Sequence, residues 1–169
     1  MSILDAMRFT LEAEKGYTVD QGGPTMNGVT QKVYDSYRRK EGLHLQAVRL
    51  IDPEEETAIM EDEYWYPAHC NEMSEKLGIA MFDWAFNHGV HGAIHTLQTC
   101  LGVTSDGVFG PGTQTALERQ DDSEFLQKFL DARRAWYKRD IQIRPDDADD
   151  LKGWLNRVDN LENFLATMS

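Results

Sequence analysis

At 169 residues, with 41% hydrophobic and 27% charged, the chain has the composition of one compact domain with its own core, which excludes a disordered segment. Its formal charge of -12 repels phosphate backbones and anionic headgroups. Nucleic acid and charge-driven membrane partners are therefore excluded, whereas a carbohydrate, read by hydrogen bonds and ring stacking, is not. No apolar run is long enough for stable membrane insertion, and Met1–Asp5 lacks the basic and apolar regions of a signal peptide. The expectation is synthesis in the cytoplasm, with any target beyond it reached through another protein. Cys70 and Cys100 are read as free thiols.

In chain order the pattern is mostly helical. Ser2 and Asp5 form a capping-box signature for a first helix with Leu4, Met7 and Leu11 on one face, closed by Gly16. Residues 18–30 are dense in turn chemistry and predict a loop or short hairpin. A second helix follows Thr30, with Val33, Tyr34 and Tyr37 inward. Asp52-Pro53 followed by Glu54, Glu55 and Glu56 is a strong helix start that runs toward Trp65. The next helix spans about Asn71 to His88, with Leu77, Met81, Trp84 and His88 on a stripe, and stops at Gly89. Short helices carry Ile94, Leu97 and Leu101, and then residues 113–119, separated by the elbow Asp106-Gly107-Val108-Phe109-Gly110-Pro111. Two longer helices, about 123–139 and 151–166, end the chain, with an acidic loop at 144–150 between them.

Glu14 is the most informative position for chemistry. It lies three residues after Leu11 and seven after Met7, so it extends the apolar face of the first helix. It also falls in the last turn, where exposed carbonyls make the potential negative. Burial and dipole both disfavour the carboxylate, and a carboxyl that keeps its proton is what a glycosidase needs in a general acid. The alternative is a helix-end acid pointing into solvent. Asp20 and Thr25 follow in the loop: either a second carboxylate and a hydroxyl that positions water, or groups bonded to their own turn. Asp83 and Asn87, four residues apart, either line a groove or form a buried polar pair. His88, His91 and His95 straddle the helix break at Gly89, which argues against a metal site, and no cofactor is expected.

Glu14-Lys15-Gly16-Tyr17 and Gly22-Gly23-Pro24-Thr25-Met26-Asn27-Gly28-Val29-Thr30 together resemble the signature of glycoside hydrolase family 108, N-acetylmuramidases of phages, prophages and some toxin-export systems. Tyr64-Trp65 and Phe82-Asp83-Trp84-Ala85-Phe86-Asn87-His88-Gly89 add to the likeness. The later part, with Leu97-Gln98, Leu101-Gly102-Val103, residues 106–111, Thr113 and Gly153-Trp154-Leu155-Asn156-Arg157-Val158, resembles the peptidoglycan-binding segment found with that family.

The resemblance implies an all-α, mainly helical, lysozyme-like fold, with residues 1–87 as the catalytic part and 88–169 as the peptidoglycan-binding part, packed into one compact domain. It implies hydrolysis of the β-1,4 bond between N-acetylmuramic acid and N-acetylglucosamine in the glycan strand of the wall, by a monomer that a holin or other release system lets out. A lytic transglycosylase acting on the same bond, or a non-catalytic wall-binding module, are the alternatives. The family's catalytic Glu maps to Glu14. Lys15 replaces the first Gly of the signature, and one Asp stands where two are expected. That makes Asp20 the default second carboxylate, with Glu63 or Asp83 as alternates and Thr25 beside it. Tyr17, Asn27, Trp65, Asp83 and Asn87 are the expected sugar contacts, through aromatic stacking and amide or carboxylate hydrogen bonds.

Overall fold

A computed structural model describes residues 3–12 and 16–169. The elements are helix α1 (Ile3–Glu12), strands β1 (Tyr17–Asp20), β2 (Gly23–Met26) and β3 (Val29–Thr30), then helices α2 (Gln31–Lys40), α3 (Pro53–Met60), α4 (Glu75–His88), α5 (Val90–Leu101), α6 (Pro111–Gln120), α7 (Ser123–Ile143) and α8 (Leu151–Ala166). The strands form an antiparallel meander in the order β1-β2-β3, with Thr18 opposite Thr25 and Thr25 opposite Thr30. The fold is mainly α with one small sheet, as the sequence predicts. Among the described residues, no helix is long and apolar enough to cross a membrane.

Several helix ends follow directly from local chemistry. Thr30 caps α2 by accepting the Val33 N–H. Asp52 and Glu55 form a full capping box on α3, with Pro53 at its first position. Glu55 has a second task. It accepts hydrogen bonds from the Tyr34 hydroxyl, at 2.5 Å, and from Arg38, which fixes α3 against α2. Gly89, at φ 87°, adopts a backbone conformation that L side chains rarely adopt, and there the chain turns from α4 into α5. Gln98 holds the elbow after α5: its Nε2 donates to Asp106, the Val108 carbonyl and Thr113, and its Oε1 accepts from the Gly107 N–H.

Helix α1 departs from the expected face. Its buried residues are Ile3, Ala6, Met7, Thr10 and Leu11, while Leu4 lies 61% exposed. The buried set follows the i, i+3, i+4, i+7, i+8 stripe that starts at Ile3, and Leu4 falls beside it.

Helix α4 is the axis of the core. Nine consecutive residues, Leu77 to Ala85, are buried, the mark of a helix surrounded on all sides. Asp83 sits among them with no exposed surface. Its Oδ1 accepts from the Thr10 hydroxyl of α1 at 2.9 Å and from Arg157 Nη2 of α8 at 2.9 Å. Its Oδ2 accepts from Arg133 Nη1 of α7 at 2.6 Å. Arg133 is equally buried, and its guanidinium also lies over the Trp84 ring at 4.7 Å. One carboxylate thus ties α1, α7 and α8 to α4. Burial alone would push the Asp83 carboxyl up, but the two guanidinium groups and their hydrogen bonds outweigh it and hold it below the ordinary carboxylate range.

Asp83→Asn leaves Arg133 without its counter-charge in the interior, and we expect a loss of about 3–5 kcal/mol in denaturant unfolding. The pH dependence has a definite sign. Because the folded-state pKa of Asp83 is depressed, its contribution is fully present above the unfolded value, about 4, and disappears as pH falls through the lower folded value. Urea midpoints measured across the acid range should fall more steeply for the wild type than for Asp83→Asn.

Candidate active site

The connection from α1 to β1 carries Glu14, which lies outside the described residues together with Ala13 and Lys15. The described residues before it belong to α1, which walls a cleft with α8, and those after it enter the sheet.

Asn27 and Gly28 form the tight turn between β2 and β3. Both have positive φ, 48° and 82°, as a two-residue hairpin turn of this hand requires. A Cβ on Gly28 would lie 2.4 Å from Cζ of Phe86 on α4, so this turn is seated directly on that ring. Phe86 in turn packs against Tyr64, with ring centroids 5.1 Å apart. Asn27 then closes the sheet onto the end of the α1–β1 connection. Its backbone N–H donates to the Gly16 carbonyl at 3.0 Å, and its Oδ1 accepts the Gly16 N–H at 2.8 Å. Its Nδ2 donates to Glu56 Oε2 on α3 at 3.2 Å. Glu56 is only 9% exposed, and burial pushes its carboxyl above the usual range, with the Asn27 hydrogen bond opposing.

The cleft, about 690 Å³, is walled by Arg8, Phe9 and Glu12 of α1, by Asn87 at the end of α4, and by Trp154, Asn156, Arg157, Asn160 and Phe164 of α8. Phe9 and Phe164 pack at 5.4 Å, and Arg8 covers the Phe164 ring at 5.1 Å. The mixture of aromatic faces and side-chain amides suits a carbohydrate. Glu12, at the cleft's edge, is two residues before Glu14 in the chain.

The structure separates the remaining candidates. Tyr17 is exposed at the start of β1, and Thr25 lies half-buried in the middle strand. Asp20 is exposed, and its Oδ1 accepts the Gly22 N–H at 2.7 Å, so it shapes the β1–β2 turn. Asn87 opens onto the cleft, and its Nδ2 donates to the Tyr137 hydroxyl at 3.3 Å. Trp65 and Asp83 require correction as sugar contacts. Trp65 is 4% exposed and packs on Phe82, because the chain leaves α3 through a π-helical turn, Glu61–Trp65, that rotates the indole inward. Asp83 is the buried hub described above and also ceases to be an alternate second carboxylate. Glu63, the other alternate, lines a separate recess with Tyr37, Lys40 and Asp62. Asn27 is engaged at both ends of its amide and works as a latch.

Glu56 is the residue that sequence reasoning missed. Taken with its neighbours it looked like one of three acids on a helix start. The available signal was its spacing from Ile59 and Met60, which places it on the buried face of α3. His88, His91 and His95 line a recess beside Trp136 and Arg139, with His88 stacked on Trp84; among the described residues no three His, Cys, Asp or Glu converge as a metal site would need. Cys70 and Cys100 are both buried and unpaired, and burial pushes both thiols up.

Residues 7–89 match the family model described as glycosyl hydrolase 108, and residues 92–159 match that of a predicted peptidoglycan domain. Among solved structures, that of Brucella abortus SagA is similar with a TM-score of 0.76 at 26% sequence identity, covering 97% of this chain and 94% of that one. A comparison with curated proteins finds no match.

Gly28→Ala brings a methyl group onto Phe86 and a side chain onto a left-handed backbone, so we expect a loss of about 1–3 kcal/mol. Adding Phe86→Leu should recover part of that loss by removing the steric share. Thermal unfolding of the two variants checks both statements.

Proposed function

Because residues 7–89 match the glycosyl hydrolase 108 model and residues 92–159 that of a predicted peptidoglycan domain, we propose that the protein cleaves the β-1,4 bond between N-acetylmuramic acid and N-acetylglucosamine, with Glu14 as general acid. The observation that carries this reading is the cleft between α1 and α8. It brings the hydrolase segment and the peptidoglycan segment to opposite walls of one carbohydrate-sized groove, and Glu12, two residues before Glu14 in the chain, lines it. In this reading the glycan lies along the groove, with Asn87, Asn156 and Asn160 supplying amides to acetamido and hydroxyl groups. Glu14 protonates the departing glycosidic oxygen, and water attacks the anomeric carbon.

One observation favours a second reading. Asp20, the default base for activating water, is exposed and bonded to its own turn. A lytic transglycosylase needs only the single acid, because the muramic acid's own 6-hydroxyl closes onto the anomeric carbon.

Mass spectrometry of digested sacculi separates these outcomes. The hydrolase reading expects products ending in a reducing N-acetylmuramic acid. Products ending in 1,6-anhydromuramic acid mean transglycosylation, and retention on sacculi with no soluble fragments means a wall-binding module. Glu14→Gln should reduce release about 100-fold or more with the circular dichroism spectrum unchanged. Full release by that variant overturns the acid assignment.

A further inference from the structure

We infer that the recess between α5 and α7 binds a carboxylate of the peptides that branch from the wall glycan, an inference that rests on the reading of the wall as this protein's target. The recess, about 400 Å³, is walled by His88 at the end of α4, by His91 and His95 of α5, and by Trp136 and Arg139 of α7. It shares no lining residue with the cleft between α1 and α8. The two meet at the end of α4, where Asn87 lines the cleft and the next residue, His88, lines the recess. A peptide that branches from a sugar near Asn87 therefore starts beside the recess.

Packing sets the imidazoles in place. His88 stacks on Trp84 at 4.3 Å and meets Trp136 edge-on at 4.2 Å. A Cβ on Gly92 would lie 2.4 Å from the His88 ring, and one on Gly107 would lie 2.3 Å from His91 Nε2. Both rings thus rest against backbone that has no side chain, an approach only glycine permits.

These side chains have no polar partner within the fold. The hydroxyls of the recess are engaged: Thr96 accepts from Trp84 Nε1 and donates to the Gly92 carbonyl, and Thr99 donates to the His95 carbonyl. Among the described residues, neither the ring nitrogens of His88, His91 and His95 nor the Arg139 guanidinium makes a hydrogen bond or ion pair. The carboxylates whose charge reaches the recess are engaged as well. Asp140, which faces His88, holds Arg144, and Asp106, which faces His91, accepts from Gln98 and the Val108 N–H. Arg133, the remaining charge on His88, is paired with Asp83. On a chain of formal charge -12, this recess therefore presents three imidazoles and a guanidinium and is lined by no carboxylate.

The complement of such a wall is a small oxyanion, which a guanidinium binds through paired N–H groups and imidazole N–H groups complete. Burial holds His88 below the ordinary imidazole pKa, with Arg133 and His95 adding to that shift and Asp140 opposing it. An entering anion favours the protonated ring, so binding tightens as pH falls. Most of the recess lies in residues 92–159, which match the predicted peptidoglycan domain. In that polymer the lactyl carboxyl of the sugar is tied up as an amide, so the free carboxylates belong to the peptides. Phosphate from other wall polymers is the competing source of the same chemistry.

The test titrates the full chain with N-acetyl-L-alanyl-D-glutamate, the first two residues of the wall peptide with the amine blocked, and follows the histidine ring signals by NMR. The comparison ligands are the same peptide with both carboxylates amidated, and inorganic phosphate. The wild type should bind the peptide with a Kd on the order of 1 mM, about fivefold or more tightly than phosphate, and should ignore the amidated peptide. Arg139 and His95 are exposed, so substitutions there spare the core. Arg139→Gln and His95→Gln should each weaken binding by about threefold to tenfold, and Arg139→Glu should abolish it. Affinity should rise between about pH 8 and about pH 6. Unchanged affinity in Arg139→Glu, equal binding of the amidated peptide, or phosphate held as tightly as the peptide overturns the inference. Sacculus digestion run in parallel separates the two readings: peptide binding without release of fragments removes the cleavage reading and keeps this site, and release without peptide binding does the reverse.

Discussion

The fold depends on one buried carboxylate. Helix α4 passes through the core with no solvent-facing side over nine residues, and a charge in that stretch survives only if the surrounding helices bring counter-charges to it. Arg133 of α7 and Arg157 of α8 supply them, and the Thr10 hydroxyl of α1 adds a neutral hydrogen bond to Asp83. Apolar contact holds helices together without dictating which turn of one meets which turn of another. The Asp83 cluster dictates both, because a slip by one residue on α4, α7 or α8 strands a charge, and a slip on α1 loses the Thr10 hydrogen bond.

The cluster also crosses a boundary in the sequence. Asp83 and Thr10 lie in the segment that matches the glycosyl hydrolase 108 model, whereas Arg133 and Arg157 lie in the segment that matches the peptidoglycan domain. The boundary falls at the turn around Gly89, yet the apolar core runs through it without a break. Arg157 serves on both sides of this arrangement: its guanidinium pairs with Asp83, and its side chain lines the cleft between α1 and α8. The groove and the interaction that joins the segments thus share a residue. On the opposite side of the α1 exit, Gly28 on Phe86 and Asn27 between Gly16 and Glu56 fix the sheet.

How much of this was legible in the sequence varied with the range of the interaction. Helix starts at Thr30 and Asp52 and the break at Gly89 are set by contacts within four residues, and they were readable as such. The hairpin at residues 18–30 was readable from its turn residues, and the Asn27-Gly28 turn occupies positive φ because those residues tolerate it. The π-helical turn at Glu61–Trp65 has no sequence signal of its own, so Trp65 read as a surface aromatic when it faces the core. Asp83 and Asn87 are four residues apart on one helix, and spacing alone left groove and core equally open. The answer turned on Arg133 and Arg157, 50 and 74 residues away. Glu56 was obscured by its acidic neighbours, although its buried spacing was present all along.

The account's central claim is that the Asp83 cluster makes the two sequence segments one cooperative unit with the groove at their seam. Native-state hydrogen exchange on the wild type and on a variant lacking the Asp83 carboxylate tests it most directly. The account predicts that the most protected amides of α1, α4, α7 and α8 exchange through one common opening, and that all four lose protection by the same factor in the variant. Protection that falls in α1 and α4 while α7 and α8 keep their wild-type values would contradict it.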